Sequence, residues 1–362
     1  MPKKNTALVM GMGTIGLPLI GLLLDLRKTL NLGEVIFTKS RANHQSSPEV
    51  RALQRRGASF AVDYERFRDF RNIGIEAEHD IKEALRAADV VVDCTPSRLA
   101  NDLKVRMYTA QEDTTKGFIA QGGANGFGAP YIHGINDDVI DFENKKYLQV
   151  LSCNSHAISS IIQALTVQDG KSILKQGFFV CNRRDNDISQ TSGTVAAPTV
   201  NAHDFDFYGT HHASDVCRVF QTIGLELNLV SSAIKLPTQY MHIIHFNLIL
   251  SEPLNIQSLL QHLKDSPFIA TTQTNNTGQI FSYGRDHGPS GRILNHAVVP
   301  VFEKALWINK IGEQVAGFAF TPQDGNSLIS SLAAVTRFLY PNAKDADPLL
   351  DQIKSSYLCE DI

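Results

Sequence analysis

Five cysteines stand in the 362-residue chain: Cys94, Cys153, Cys181, Cys217 and Cys359. One of them is placed for chemistry. Ser152-Cys153-Asn154 follows the strand-like run Tyr147 to Leu151, and Ala157, Ile158, Ile161, Ile162 and Leu165 come next at helical spacing. That pattern sets Cys153 at a helix N-terminus. Free amides and the helix dipole stabilise a thiolate there, so a lowered pKa and a nucleophile are expected. Cys94, Cys181 and Cys217 lie in apolar strand or helix patterns, where inert core cysteines are found. Cys359 belongs to the terminal stretch. An odd number, wide spacing and no CxxC argue against a disulfide framework and for a reducing, cytoplasmic setting.

A glycine constellation comes first in the chain. Gly11-Met12-Gly13-Thr14-Ile15-Gly16 fits GxGxxG, after the apolar run Thr6 to Met10 and before the helical run Gly16 to Leu26. Gly11 makes the tight turn, Gly13 lets backbone approach a pyrophosphate, and Gly16 allows close helix–sheet packing. The helix start adds amide donors for phosphates. A second strand, Glu34 to Thr38, ends in Thr38-Lys39-Ser40-Arg41. NAD calls for a ribose-binding acid there. Lys39, Arg41 and two hydroxyls instead suit a 2′-phosphate, which favours NADP over NAD. Gly170-Lys171-Ser172 resembles a phosphate-loop end, but Leu165 stands where that loop needs its first glycine, which excludes an ATP site. His242 and His245 point to opposite faces of a strand and form no metal pair. His133, His156, His203 and His287 read as surface or satisfied core residues.

These residues need elements to hold them. Up to residue 150 strands and helices alternate: helices at Ser47 to Arg56 and Ile81 to Ala88, a buried strand at Asp89 to Cys94, another at Gly117 to Ala120. This is an α/β Rossmann dinucleotide-binding domain on a parallel sheet. Beyond it, strand-like Ser172 to Asn182, Glu226 to Leu236, Met241 to Leu250 and Glu313 to Phe320 predict an α+β catalytic domain with a mostly antiparallel sheet. The expected boundaries are 1–150 for the first domain, 151–322 for the second, a C-terminal helix 323–342 completing the first, and a tail 343–362. Composition is globular, with 43% hydrophobic and 20% charged residues. A net charge of -3 gives no reason to expect nucleic acid. No apolar run reaches the roughly 18 residues that span a bilayer, and Leu17 to Leu26 follows a glycine loop and lacks the small-residue cleavage pattern of a signal peptide.

Taken together, the motifs carry a family resemblance. Gly11 to Gly16 looks like an NGxGTIG loop, Val91-Val92-Asp93-Cys94-Thr95-Pro96 like VVDATP, Gln121-Gly122-Gly123 like QGG, and Ser152-Cys153-Asn154 is SCN. Arg183-Arg184, His211-His212 with Asp215-Val216, Pro237-Thr238 with Met241-His242, and Arg285-Asp286 with Gly288 follow in the right order. The chain resembles the archaeal-type (type II) phosphorylating glyceraldehyde-3-phosphate dehydrogenases. The resemblance implies a reversible oxidation of glyceraldehyde 3-phosphate with inorganic phosphate to 1,3-bisphosphoglycerate, in glycolysis or gluconeogenesis, by a homotetramer. It makes Cys153 the nucleophile, and His242 the general base and then the oxyanion stabiliser. Ser152, Asn154, Ser155, Arg183, His211 and His212 would line the substrate. Gly11, Gly13, Thr14, Ile15, Gly16, Lys39, Arg41, Thr95, Gly122 and Gly123 would hold the dinucleotide, with Arg184 at its nicotinamide end and Gln314 as a late contact. The chain departs from the family at Ser155-His156, where threonines are usual, in Asn125 to Ile132 and in the loop 185–209. These departures bear on which aldehyde is used. A semialdehyde dehydrogenase acting on an aspartyl- or glutamyl-type acyl phosphate, or a non-catalytic NADP-binding protein, are the competing expectations.

Overall fold

The computed structural model describes residues 4–186 and 193–362. The chain divides into two compact units. The first runs through Ala129, returns at Ile140–Val150 and is completed by Ser330–Ile353; the second comprises Pro130–Val139, Leu151–Ile329 and Lys354–Ile362. Among the described residues no helix is long and apolar enough to cross a membrane.

The first unit is a doubly wound parallel sheet. Its strands run His79–Asp80, Ser59–Val62, Leu32–Thr38, Asn5–Met10, Val90–Asp93, Gly117–Gln121 and Tyr147–Val150, each paired in parallel with the next. The winding reverses between Asn5–Met10 and Val90–Asp93. Crevices at such a switch point, outside the carboxyl ends of the strands, are where α/β sheets bind ligands. Ala7 to Met10 and Val90 to Asp93 are buried throughout, as strands covered on both faces must be. Tyr108, Phe118 and Tyr147 stack with centroids 5.2 and 5.0 Å apart. The helix Leu328–Leu339 closes the sheet: Phe338 packs on Gly117 and edge-on to Phe142, and Ser331 bonds Gln121.

The second unit carries a mixed, mostly antiparallel sheet in the order Thr199–Val200, Leu229–Lys235, Leu174–Arg183, His242–Leu250, Gln314–Thr321, Ala297–Pro300, Ile269–Thr272. Two of these pairings are parallel: Leu174–Arg183 with Leu229–Lys235, and Ile269–Thr272 with Ala297–Pro300. Burial along His242–Leu250 alternates strictly, one face closed and the other half-open. The closed face packs Phe179, Ile244, Phe246 and Leu248 against Ile158, Ile161, Phe220 and Leu259 of the helices Cys153–Thr166, His211–Thr222 and Ile256–Asp265. Burying each such side chain contributes roughly 1.5–3 kcal/mol.

The expected boundaries shift: residues 323–329 stay with the second unit, and the tail divides between the first unit, up to Ile353, and the second, from Lys354. Residues 130–139 group with the second unit, where Asn136 bonds Pro130 O and Thr222 Oγ1. The tail forms a helix, Ala343–Tyr357, that buries Ala346, Leu350 and Ile353. Its end then runs beside Ile269–Thr272, with Thr271 N donating to Glu360 O and Ile362 N to Thr271 O. Part of the polar loop 185–209 lies outside the described residues.

Candidate active site

In the first unit the glycine loop joins the strand Asn5–Met10 to the helix Gly16–Asp25. Gly11 adopts φ +89°, a conformation that side chains other than glycine rarely take. A Cβ on Gly16 would meet Gly11 O at 2.1 Å, so the turn closes only on glycine there. Gly13 is exposed, and a Cβ there would meet nothing within 4 Å. Gly122 (φ +68°) likewise borders open space, and Gln149 Nε2 donates to its carbonyl at 2.8 Å. Asp93 anchors the turn between the strand Val90–Asp93 and Thr95: its Oδ1 accepts from Thr95 N (2.8 Å) and Oγ1 (2.5 Å), its Oδ2 from Tyr108 OH (2.6 Å). Burial raises that carboxyl's pKa. Gly13 and Gly122 therefore leave open space where other residues would place a Cβ, while Gly11 makes the turn. Thr14 and Ile15 sit at the helix start, and Gly123 and Thr95 at the neighbouring strand ends. Thr38 is a correction: its hydroxyl is buried and accepts Gly11 N–H at 3.0 Å, so it holds the loop and is not free for a phosphate. Lys39 is half-buried and Arg41 exposed, and among the described residues neither has a carboxylate partner.

In the second unit two helix starts meet. Ser152 caps the helix Cys153–Thr166, its Oγ accepting from Ser155 N–H and lying 2.8 Å from Ser155 Oγ. Asn154 reaches the start of the helix His211–Thr222, with Nδ2 3.2 Å from His212 Nε2, and Thr210 Oγ1 sits 2.9 Å from His212 Nδ1. The His211 and His212 rings lie 3.9 Å apart. Arg183 influences Cys153, His211, His212 and His242 electrostatically, and among the described residues no carboxylate pairs with it. Cys153 O accepts from Asn326 Nδ2 at 2.8 Å, and the same amide donates to His296 O.

Several expectations are corrected by this packing. Cys153 keeps some open surface, yet burial pushes its thiol up to about 12; the Asn154 amide, Arg184 and Arg183 oppose that rise without overcoming it. Ser155 has no exposed surface, and its hydroxyl is engaged with Ser152 and Asp215. His156 is likewise fully buried, donates from Nδ1 to Ser152 O, and is pushed down to about 4, so it brings no charge. Arg184 is not open to a nicotinamide: its guanidinium grips Asp324 (2.7 and 3.2 Å) and Tyr240 O (3.0 Å), with 1% of the side chain exposed. Gln314 bonds Asn247 and pairs with Ile249, at the far end of the strand pair from His242 and Thr321. Seven residues of strand, roughly 24 Å, separate it from the His242 end.

His242 is 9% exposed and held from two sides. Its Nδ1 accepts Arg184 N–H at 2.9 Å and its own N–H reaches Gln323 Oε1 at 3.3 Å. Burial, with Arg184 and Arg183 near, pushes the ring down to about 3. His245 faces the other side of the sheet against Phe318. Gln323, Asp324 and Asn326 went unnoticed in the sequence, where Pro322-Gln323-Asp324-Gly325-Asn326 reads only as a turn.

No family model matches the chain. It is similar to the glyceraldehyde-3-phosphate dehydrogenase of Pyrobaculum calidifontis, 26% identical over 257 residues that cover 69% of this chain and 71% of that protein. The protein of that name from Sulfolobus acidocaldarius is 24% identical over 73% of this chain and 75% of its own, and that from Archaeoglobus fulgidus 22% over 80% and 76%. The archaeal likeness read from the motifs is thus borne out over about 70% of the chain.

Proposed function

We propose that this chain is a nicotinamide-dependent, phosphorylating dehydrogenase of glyceraldehyde 3-phosphate that works through a Cys153 thioester. The observation that carries this is the meeting of two helix N-termini, at Cys153 and at His211, beside the buried His242 and Arg183, which has no carboxylate partner among the described residues. Helix starts and a guanidinium favour anions, which suits a sugar phosphate and inorganic phosphate. Cys153 attacks the aldehyde carbon, and the oxyanion so formed is stabilised by amides of the helix start and by His242. When bound, a nicotinamide supplies the hydride acceptor that turns the hemithioacetal into a thioester. Phosphate then attacks the thioester carbonyl and Cys153 leaves as thiolate. Gly11, Gly13, Gly122 and Gly123 hold the dinucleotide, and Lys39 and Arg41 favour NADP over NAD. Asn154, Arg183, His211 and His212 bind the substrate anions. The open face of the second unit's sheet, with Phe178 38%, Phe318 47% and Trp307 52% exposed, supports assembly into the homotetramer that the family resemblance implies.

The deciding experiment follows reduction of NADP and NAD with glyceraldehyde 3-phosphate, with and without phosphate or arsenate. Phosphate-dependent turnover that disappears in a folded Cys153→Ser protein is the expected result. Turnover only with aspartyl- or glutamyl-type semialdehydes would replace the substrate, and an active Cys153→Ser would remove the thioester.

A further inference from the structure

The ring of His242 has one nitrogen already assigned. Nδ1 lies 2.9 Å from the backbone nitrogen of Arg184 and accepts its N–H, a group that can only donate. A neutral imidazole whose Nδ1 accepts carries its proton on Nε2. Such a ring has no lone pair at Nε2 to take a proton from a thiol, but it has a hydrogen there to give. Burial keeps it neutral, since protonation is pushed down to about 3.

The amide that sets this tautomer is itself clamped. Asp324 holds the Arg184 guanidinium at 2.7 and 3.2 Å, and Tyr240 O takes a third bond from it. Next to Asp324, Gln323 accepts from His242 N–H and donates to Tyr240 O at 3.2 Å. The turn after the strand Gln314–Thr321 thereby grips the His242 backbone and, through Arg184, its ring.

We infer that Asp324 is a positioning residue that, through Arg184, fixes His242 as an Nε2–H donor to the substrate oxygen, not as the base that deprotonates Cys153. This rests on the aldehyde dehydrogenase function proposed above for its catalytic meaning, and on the second unit alone for its geometry. A neutral donor suits a carbonyl that gains negative charge on attack, because it stabilises the charge without first having to lose a proton. Ionisation of Cys153 is then set by its own surroundings: Arg184 and Arg183 favour the thiolate, and burial and Asp324 oppose it.

The test reads the apo protein in two ways. In 15N-histidine-labelled protein, long-range proton–nitrogen correlations report each imidazole tautomer, and His242→Gln identifies the His242 signals. The expected result is a protonated Nε2 and an unprotonated Nδ1 throughout the pH range in which the protein is folded. Asp324→Asn is expected to replace that single tautomer by a mixture. The same variant, having lost a charge that raises the thiol pKa, should be alkylated at Cys153 by iodoacetamide at lower pH than the parent. His242→Gln should keep the parent's alkylation profile. An unprotonated Nε2, an unchanged tautomer in Asp324→Asn, or a tenfold slower neutral-pH alkylation in His242→Gln would each overturn the inference. If Asp324→Asn does not fold, the parent spectrum and His242→Gln still decide whether His242 is donor or base. Neither readout uses an aldehyde, so a failure here is distinct from an absence of glyceraldehyde 3-phosphate turnover.

Discussion

His156 sits one turn into the helix that starts at Cys153, fully enclosed, its ring 4.9 Å from His296, which stacks on Phe268 at 4.7 Å. Burial pushes His156 to about 4 and His242 to about 3, and lowers His212 and His296 as well. Each ring is neutral when folded and takes a proton near its ordinary value, about 6.5, when unfolded. As pH falls below that value the unfolded chain binds protons first, so the stability these rings carry is present above it and is lost on the way down to their folded values. The protein is therefore expected to weaken steeply in acid. His156→Gln removes one such ring; its full shift corresponds to about 3 kcal/mol. Urea midpoints measured from neutral to acid pH should fall less for the variant than for the parent, and parallel curves would show that His156 does not contribute. The thiol obeys the same burial. At about 12, Cys153 is mostly protonated at neutral pH, so its alkylation rate in the apo protein should climb through pH 8 without a plateau.

At the scale of elements, the glycine loop separates two kinds of glycine. Gly16 is needed by the fold, since its Cβ would lie 2.1 Å from Gly11 O and 3.3 Å from Cys94 Cβ. Gly13 is not needed by the fold, because nothing of the protein lies near its missing Cβ; the proposed dinucleotide is what would require it. Gly16→Ala should cost about 3 kcal/mol or more in stability, as backbone clashes do. Gly13→Ala should unfold like the parent yet bind NADP at least tenfold more weakly, which calorimetry and denaturation together would check. Equal NADP affinity would mean that no pyrophosphate approaches this loop. The helices of the second unit show how neighbours override a local rule. The helices of 14 residues at Cys153 and 12 residues at His211 supply free amides at their starts, and the packing that brings these together also buries the sulfur.

For the whole molecule the open sheet face carries the main prediction. Phe178 and Phe318 stand exposed on one face of the sheet, on strands Leu174–Arg183 and Gln314–Thr321 with His242–Leu250 between them, and half-buried Val180, Ile243 and Ile249 lie around them. Apolar surface of this kind on a sheet is what a copy of the chain would cover. Phe318→Glu should lower the mass seen by light scattering toward that of one chain, 39.9 kDa, with the fold retained. A parent that is already monomeric would remove the proposed tetramer.

Local sequence decides the periodic elements and the loops between them that need glycine. Gly11 to Gly16, the strand Val90–Asp93 and the helix beginning at Cys153 were legible because local spacing decides them: apolar alternation, 3.6-residue repeats and turns only glycine can make. The likeness to archaeal enzymes was legible in the order of short motifs. What no local pattern holds is where polar side chains end up. Whether Cys153 ionises easily, whether Ser155 meets substrate or Asp215, and whether Arg184 faces a cofactor or Asp324 depend on neighbours far away in the chain, such as Asp324, 140 residues from Arg184. The turn Pro322 to Asn326 shows this most clearly. In the sequence it ends a strand; in the fold its Asp324 holds Arg184, whose N–H meets His242 Nδ1, and its Asn326 ties down Cys153 O, because a hydrogen bond needs only proximity in space.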